Sequence, residues 1–128
     1  MIVKASKMKY IEVRNYSDIL EVDKGKNSGP QMYLFIDGVT DPQNFGSILR
    51  SAMFLGANGI IVNRQDCCGL TPAVSKVSSG ALEFLNMYQV KFVQKFLMDI
   101  KSKHNFAIIS SKLDEDSVSL SDLKLNKD

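Results

Sequence analysis

The residues best suited to chemistry in this sequence are Asn44 and Arg50, which lie six positions apart after an apolar run at 33–36. A guanidinium group near the start of a helix is suited to bind phosphate, because the helix dipole favours an anion and the guanidinium donates two parallel hydrogen bonds. The pair Asp37-Gly38 ends the apolar run, so the pattern predicts a site at the carboxyl end of a parallel strand. An alternative stays open, in which Asn44 caps the helix and Arg50 is only a solvated surface charge.

A second segment, from Thr71 to Glu83, is rich in small residues and contains Lys76. One interpretation is a helix with Thr71 as its cap and Pro72 at its first position, in which small residues allow close packing. The other is a surface that a ligand approaches closely, with Lys76 available to a phosphate. Taken alone, the segment favours the first interpretation.

Cysteine and histidine do not form a metal-binding pattern here. Cys67 and Cys68 are adjacent, without the spacing of zinc ligands, and the sole histidine, His104, ends a predicted helix. We therefore expect no metal. The sequence has neither a Walker loop nor a G-x-G-x-x-G motif, which argues against the common nucleotide-binding folds.

The composition is that of an ordinary globular chain. It has 128 residues, of which 45% are hydrophobic, and a net charge of +2, so we expect at most one domain and cannot decide for or against nucleic acid from charge alone. No run approaches the roughly 18 apolar residues of a membrane span. Residues 1–10 lack the apolar centre of a secretion signal. We expect a location in the cytoplasm, a mitochondrion or another organelle, and no membrane partner.

Apolar periodicity predicts an α/β protein with a parallel sheet, in which strands alternate with helices. The predicted strands cover 33–36, 59–62, 86–90 and 106–110, and the predicted helices cover 44–55, 71–84 and 92–103. The last helix is expected to turn its apolar side chains inward: Phe92, Val93, Phe96, Leu97 and Ile100. Before these elements we predict a short strand within 1–13, a capped helical turn at 15–20 and a linker at 23–30.

Two ordered matches point to a family. Residues 36–52, followed by 54–57, resemble the first signature motif of the SpoU (TrmH-like) RNA 2′-O-ribose methyltransferases of the SPOUT superfamily. Residues 70–83 resemble the family's next segment and are especially similar to its mitochondrial and bacterial ribosomal-RNA guanosine branch. The resemblance covers about 31–112 and implies a Rossmann-like parallel α/β domain, closed in the family by a carboxyl-terminal trefoil knot.

The resemblance also implies an activity. S-adenosylmethionine donates a methyl group to a ribose 2′-hydroxyl of RNA, with ribosomal RNA the favoured substrate, and the complete enzyme is a homodimer. Asn44 and Arg50 match the motif's catalytic asparagine and arginine, and the expected RNA-binding residues are Arg50, Lys76 and Ser78. An arginine in this role helps a poor nucleophile, because it stabilises the developing oxyanion or holds the neighbouring phosphate.

The end of the sequence departs from the family pattern. The family continues with a glycine-glutamate motif and a serine- and asparagine-rich motif, which form the knot and most of the cofactor pocket. We expect the residues that bind S-adenosylmethionine to lie downstream of Asp128, so that the 128-residue chain alone is inactive and does not bind the donor. The expected organisation is an amino-terminal remnant and linker at 1–30, a partial SpoU domain at 31–112, and a polar tail or loop at 113–128.

Two other functions compete with this one. The first is a non-catalytic RNA-binding or assembly module that keeps the α/β scaffold and uses a basic face formed by Arg50, Arg64, Lys76 and Lys112. The second is an unrelated nucleotide-binding α/β domain, which the absence of a glycine-rich loop disfavours.

Overall fold

The computed structural model describes residues 8–24 and 29–125 of the chain. Its strands are β1 (Ile11–Glu12), β2 (Tyr33–Ile36), β3 (Gly59–Asn63) and β4 (Met87–Val90). Its helices are α1 (Tyr16–Asp23), α2 (Pro42–Phe54), α3 (Pro72–Val77), α4 (Ala81–Phe84) and α5 (Val93–Lys103), with one 3-10 turn at Leu120–Asp122.

All four strands are parallel and lie in the order β1-β4-β3-β2, which confirms the predicted α/β class. On one face of the sheet pack α2, α3 and α4, whose buried side chains include Phe45 and Leu82. On the other face pack α1 and α5, through Ile19 and Phe96. Helices on both faces explain why the central strand β3 is a continuous buried run, Ile60 to Val62.

The first long helix, α2, begins two residues earlier than predicted, at Pro42, and its cap is Asp41. The carboxylate of Asp41 accepts a hydrogen bond from the amide nitrogen of Asn44 at 3.0 Å. Pro42 suits the first helical position, because a proline lacks the N–H that would otherwise stay unpaired there. Asn44 is therefore inside the first turn and is not the cap.

The predicted single helix at 71–84 is wrong, because it is broken into α3 and α4. Thr71 caps α3 as predicted, but Ser79 and Gly80 both adopt positive φ angles, 54° and 82°. Two consecutive left-handed residues reverse the chain, and glycine does so without steric cost. Gly80 is thus the break between two short helices and not a tolerated glycine within one.

The predicted strand at 106–110 is also wrong. No backbone ladder forms there, and within it Ile108 and Ile109 are exposed while Phe106 packs its ring against Tyr16 and Tyr33. An apolar run becomes a strand only where another strand offers hydrogen bonds, and none of the described strands pairs with this one.

One of the apolar side chains that the sequence predicts to turn inward on the last helix does not do so. Phe92 precedes α5 and is 65% exposed, so it does not turn inward, whereas Phe96 is fully buried as predicted.

Of the short strand predicted within 1–13, the pair Ile11–Glu12 forms β1, and positions 1–7 lie outside the described residues. The helical turn at 15–20 is confirmed and extends to Asp23; positions 25–28 of the predicted linker are likewise outside the described residues.

A buried carboxylate fastens α1 to the sheet. Asp23, only 7% exposed, accepts hydrogen bonds from the Tyr33 hydroxyl (2.9 Å), the Asn86 amide (2.9 Å) and the Tyr88 hydroxyl (3.1 Å). Burial, and then the nearby charge of Asp23, raise the pKa of Tyr88 well above its ordinary value, so this phenol stays a hydrogen-bond donor. The cluster joins the end of α1 to the amino-terminal ends of β2 and β4. It therefore lies at the edge of the sheet opposite to the carboxyl-terminal edge, where α2 starts.

Candidate functional site

A cleft of about 840 Å³ lies between α2 and α3. Arg50 is the cation in its lining, and no carboxylate lines it. Its polar lining residues are Gln43, Ser47, Ser51, Ser78 and Ser79. Its apolar lining residues are Met53, Phe54 and Leu55, at or just after the end of α2, and Val77 at the end of α3.

The close approach of α2 to α3 depends on Gly46. A Cβ atom built on Gly46 would lie 2.7 Å from the Cβ of Val77 and 3.1 Å from the amide nitrogen of Ser78. No real side chain fits in that space, so the glycine lets the two helices touch. Arg50 lies one turn further along the same side of α2, because residues four apart share a helix face. The contact at Gly46 therefore positions Arg50 at the rim of the cleft.

Arg50 is exposed and makes no hydrogen bond or ion pair with any residue in 8–24 or 29–125. Arg14 and Arg64, by contrast, each contact a carboxylate. An arginine that carries no internal partner and faces a carboxylate-free cleft is available for an anion. A phosphate group would meet up to two parallel N–H donors there.

The structure does not bring all of the predicted site residues into this cleft. Asn44 is exposed on the first turn of α2, about 9 Å along the helix and about 120° around it from Arg50. Lys76 is exposed on α3 and does not line the cleft. Arg50 and Ser78 do come together there, and the roles assigned to all four residues stay predictions.

Ser78 has a structural task that the sequence did not indicate. Its side chain is fully buried; the hydroxyl donates to the carbonyl oxygen of Ser75 at 2.9 Å and accepts from the amide nitrogen of Leu82 at 3.2 Å. These bonds hold the turn between α3 and α4. Its neighbour Ser79 is the exposed serine at the cleft, and its positive φ could not be read from the residue type.

A second, apolar groove of about 360 Å³ runs along the other side of α2, between that helix and β2. Its lining includes Leu34, Ile48 and Leu55 and contains no charged side chain. Three residues at or just after the end of α2 line the cleft and are exposed, namely Met53, Phe54 at 88%, and Leu55.

Other chemistry has little support within the described residues. Among them no group of three or more histidine, cysteine, aspartate or glutamate side chains could hold a metal ion, and no helix is long and apolar enough to cross a membrane. Burial raises the pKa of the Cys67 and Cys68 thiols. Both are therefore mainly protonated and poor nucleophiles near neutral pH.

The sequence pattern of the SpoU rRNA Methylase family matches residues 31–128. The chain belongs to this family. The SpoU match includes α2, α3 and the whole Arg50 cleft. It also reaches beyond residue 112, where the resemblance was expected to end.

Individual relatives agree with the SpoU assignment. The mitochondrial rRNA methyltransferase 1 of Schizosaccharomyces pombe is 44% identical over 81 residues, which are 60% of this chain and 27% of that protein. The 23S rRNA (guanosine-2′-O-)-methyltransferase RlmB of Shewanella oneidensis is 43% identical over 70 residues, 55% of this chain and 28% of that protein. The matched segment thus spans about a quarter of each relative's length.

A solved structure of an AdoMet-bound rRNA methyltransferase from Sinorhizobium meliloti is 25% identical to this chain. The likeness covers 51% of this chain and 26% of that one, with a TM-score of 0.46. A TM-score of this size does not by itself establish a common fold. The SpoU assignment rests on the family match and on the sequence relatives.

Proposed function

We propose that this protein methylates a ribose 2′-hydroxyl of RNA, with ribosomal RNA as the favoured substrate and S-adenosylmethionine as the methyl donor. In this proposal the α2–α3 cleft holds the RNA backbone beside the target ribose. The observation that carries the proposal is Arg50, an exposed guanidinium with no carboxylate in the cleft that it lines. A phosphate diester is the anion that RNA offers beside every 2′-hydroxyl.

Arg50 would contribute in two ways. Its planar fork can bind a phosphate oxygen pair and so hold the neighbouring ribose in one orientation, which methyl transfer needs because attack is in line. Its positive charge also stabilises the negative charge that develops on the 2′-oxygen. In the proposal, Asn44, on an earlier turn of α2, and Lys76, on α3, contact the same RNA at neighbouring nucleotides. Ser78 would act by fixing the turn that lines the cleft.

The cleft and the apolar groove offer no carboxylate to the methyl donor. S-adenosylmethionine carries an ammonium and a sulfonium group, but neither the cleft nor the apolar groove has a carboxylate in its lining. We therefore assign no donor-binding residue within 8–24 or 29–125. The residues described here bind and orient RNA, and no step of the transfer is assigned to them beyond that of Arg50.

The assembly and location of the protein belong to the same proposal. The exposed apolar side chains Met53, Phe54 and Leu55 favour a homodimer, because clustered apolar surface of this kind commonly marks an interface. The mitochondrial names of relatives such as the Schizosaccharomyces pombe enzyme favour a mitochondrial location, with the cytoplasm as the alternative.

A non-catalytic RNA-binding module is the second candidate. The observation that favours it is that neither cavity suits S-adenosylmethionine. Both candidates require RNA at the Arg50 cleft, and they differ in whether a methyl group is transferred.

The test of RNA binding compares the protein with its Arg50→Ala variant across a salt series. We expect Arg50→Ala to weaken binding of a single-stranded RNA about tenfold at low salt and to lower the slope of log K against log salt by about 1. Lys101→Ala is the control, because Lys101 is an exposed cation in the last turn of α5. Equal affinities of the wild type and Arg50→Ala would remove the proposed function.

A further inference from the structure

Three basic residues follow three adjacent parallel strands at the same level of the sheet. Glu12 pairs with Gln89 and Asn63 with Val90 across the β1-β4-β3 ladder. The ladder continues beyond these pairs, since the amide of Val13 donates to Gln89 and that of Arg64 donates to Val90. Extending the register to the next positions brings Arg14, Lys91 and Arg64 side by side.

We propose that this row forms a second RNA-contacting surface, the carboxyl-edge patch, made of Arg14, Arg64, Lys91 and the exposed ring of Phe92. It would bind single-stranded RNA adjoining the segment held by Arg50. This inference rests on the proposed function, because it extends the same RNA beyond the cleft. None of its four residues lines that cleft.

The charge arrangement favours a polyanion. Neighbouring strands are about 4.8 Å apart, and like charges at opposed positions disfavour folding. The charges of Arg14 and Arg64 are paired with Asp18 and Glu12, but both guanidinium groups are exposed, so these ion pairs are weak and can be exchanged for phosphate. Lys91 makes no ion pair in the part of the chain that the structure describes.

The aromatic residue favours single-stranded RNA over a duplex. Phe92 is 65% exposed at the start of α5, and the ammonium of Lys91 lies 5.3 Å from its ring centroid. Exposed aromatic rings beside cations bind unpaired bases, since every base offers a face for stacking while phosphates meet the cations. Bases within a duplex are already stacked and do not reach such a ring.

The test measures fluorescence anisotropy of a short single-stranded RNA of mixed sequence with the purified protein, between about 50 and 200 mM salt. We expect Lys91→Glu to weaken binding about tenfold at low salt and to reduce the salt slope by about 1. We expect Phe92→Leu to weaken binding about tenfold without changing that slope, because stacking is not electrostatic. Both side chains are exposed, so the thermal midpoint should match that of the wild type.

The matched control is Lys101→Glu, which makes the same charge change on an exposed residue in the last turn of α5, whereas Lys91 and Phe92 precede its first turn. If Lys101→Glu weakens binding as much as Lys91→Glu, the effect is one of net charge and the patch is overturned. If Phe92→Leu weakens the binding of an RNA hairpin as much as that of the single strand, stacking is overturned.

The outcomes separate this inference from the proposed function. Wild-type binding by Lys91→Glu and Phe92→Leu, together with weak binding by Arg50→Ala, removes the carboxyl-edge patch and leaves the Arg50 cleft in place. Wild-type binding by Arg50→Ala removes the cleft whatever the patch variants show. Weak binding by all three variants supports a continuous RNA path over both surfaces.

Discussion

We expect that replacing Arg50 with lysine lowers kcat/KM for the proposed RNA methylation by about 100-fold, while the RNA dissociation constant changes by no more than about threefold. Lysine keeps the positive charge but loses the planar fork that holds a phosphate in one orientation. Loss of one well-placed donor to a developing oxyanion costs a factor of about 100 to 1,000 in rate. The measurement is methyl incorporation from radiolabelled S-adenosylmethionine into RNA, made with the protein as its gene encodes it.

The control for this substitution is the reverse exchange at a solvated position, Lys101→Arg, which should leave both constants unchanged. Arg50 is exposed and makes no ion pair with the residues that the structure describes, so the thermal midpoint of Arg50→Lys should also stay at the wild-type value. A variant that methylates at the wild-type rate would show that the fork has no role in the reaction. Equal losses in affinity and in kcat/KM would reduce Arg50 to a binding residue.

Replacing Asp23 with alanine lowers the free energy of unfolding by about 2–4 kcal/mol, because buried donors lose their acceptor. The Tyr88 hydroxyl is fully buried, and the Asn86 amide is part-buried. Tyr33 is affected less, since its hydroxyl also lies 3.4 Å from the Gln31 side-chain oxygen. For a chain of this size the thermal midpoint should fall by roughly 10 °C, as measured by circular dichroism.

Glu21→Ala is the matched control, since Glu21 is an exposed carboxylate on the same helix, and its loss should change stability by less than about 0.5 kcal/mol. Asp23→Asn tests the charge separately: it keeps the shape of the side chain but replaces one acceptor oxygen with a donor. We expect it to lie between the wild type and Asp23→Ala. If Asp23→Ala unfolds at the wild-type temperature, the buried cluster does not fasten α1 to the sheet.

The predictions from sequence were most accurate where local chemistry decides the structure. Tyr33–Ile36 is a strand with the predicted bounds, and Thr71 caps α3 with Pro72 at its first position. Each of these depends on a few neighbouring residues, so a short stretch of sequence is enough to recognise it.

Features set by distant parts of the chain were missed. The role of Gly46 depends on Val77, which packs against it from another helix, and the buried state of Asp23 depends on residues of β2 and β4. The break at Ser79 needs a serine in a left-handed conformation that its residue type does not favour. Arg50 was proposed as a site residue from its motif, and that role stays a prediction, whereas the cleft that it lines follows only from how α2 packs on α3.

The most direct test of the proposed function locates the transferred methyl group. The protein as its gene encodes it is incubated with RNA and methyl-labelled S-adenosylmethionine, and the RNA is then hydrolysed in alkali. A methylated 2′-oxygen cannot attack its neighbouring phosphate, so the account predicts label in alkali-stable dinucleotides, and its loss in Arg50→Ala. Label in mononucleotides would place the methyl group on a base, and RNA binding without any label would favour the non-catalytic module; either result contradicts the account.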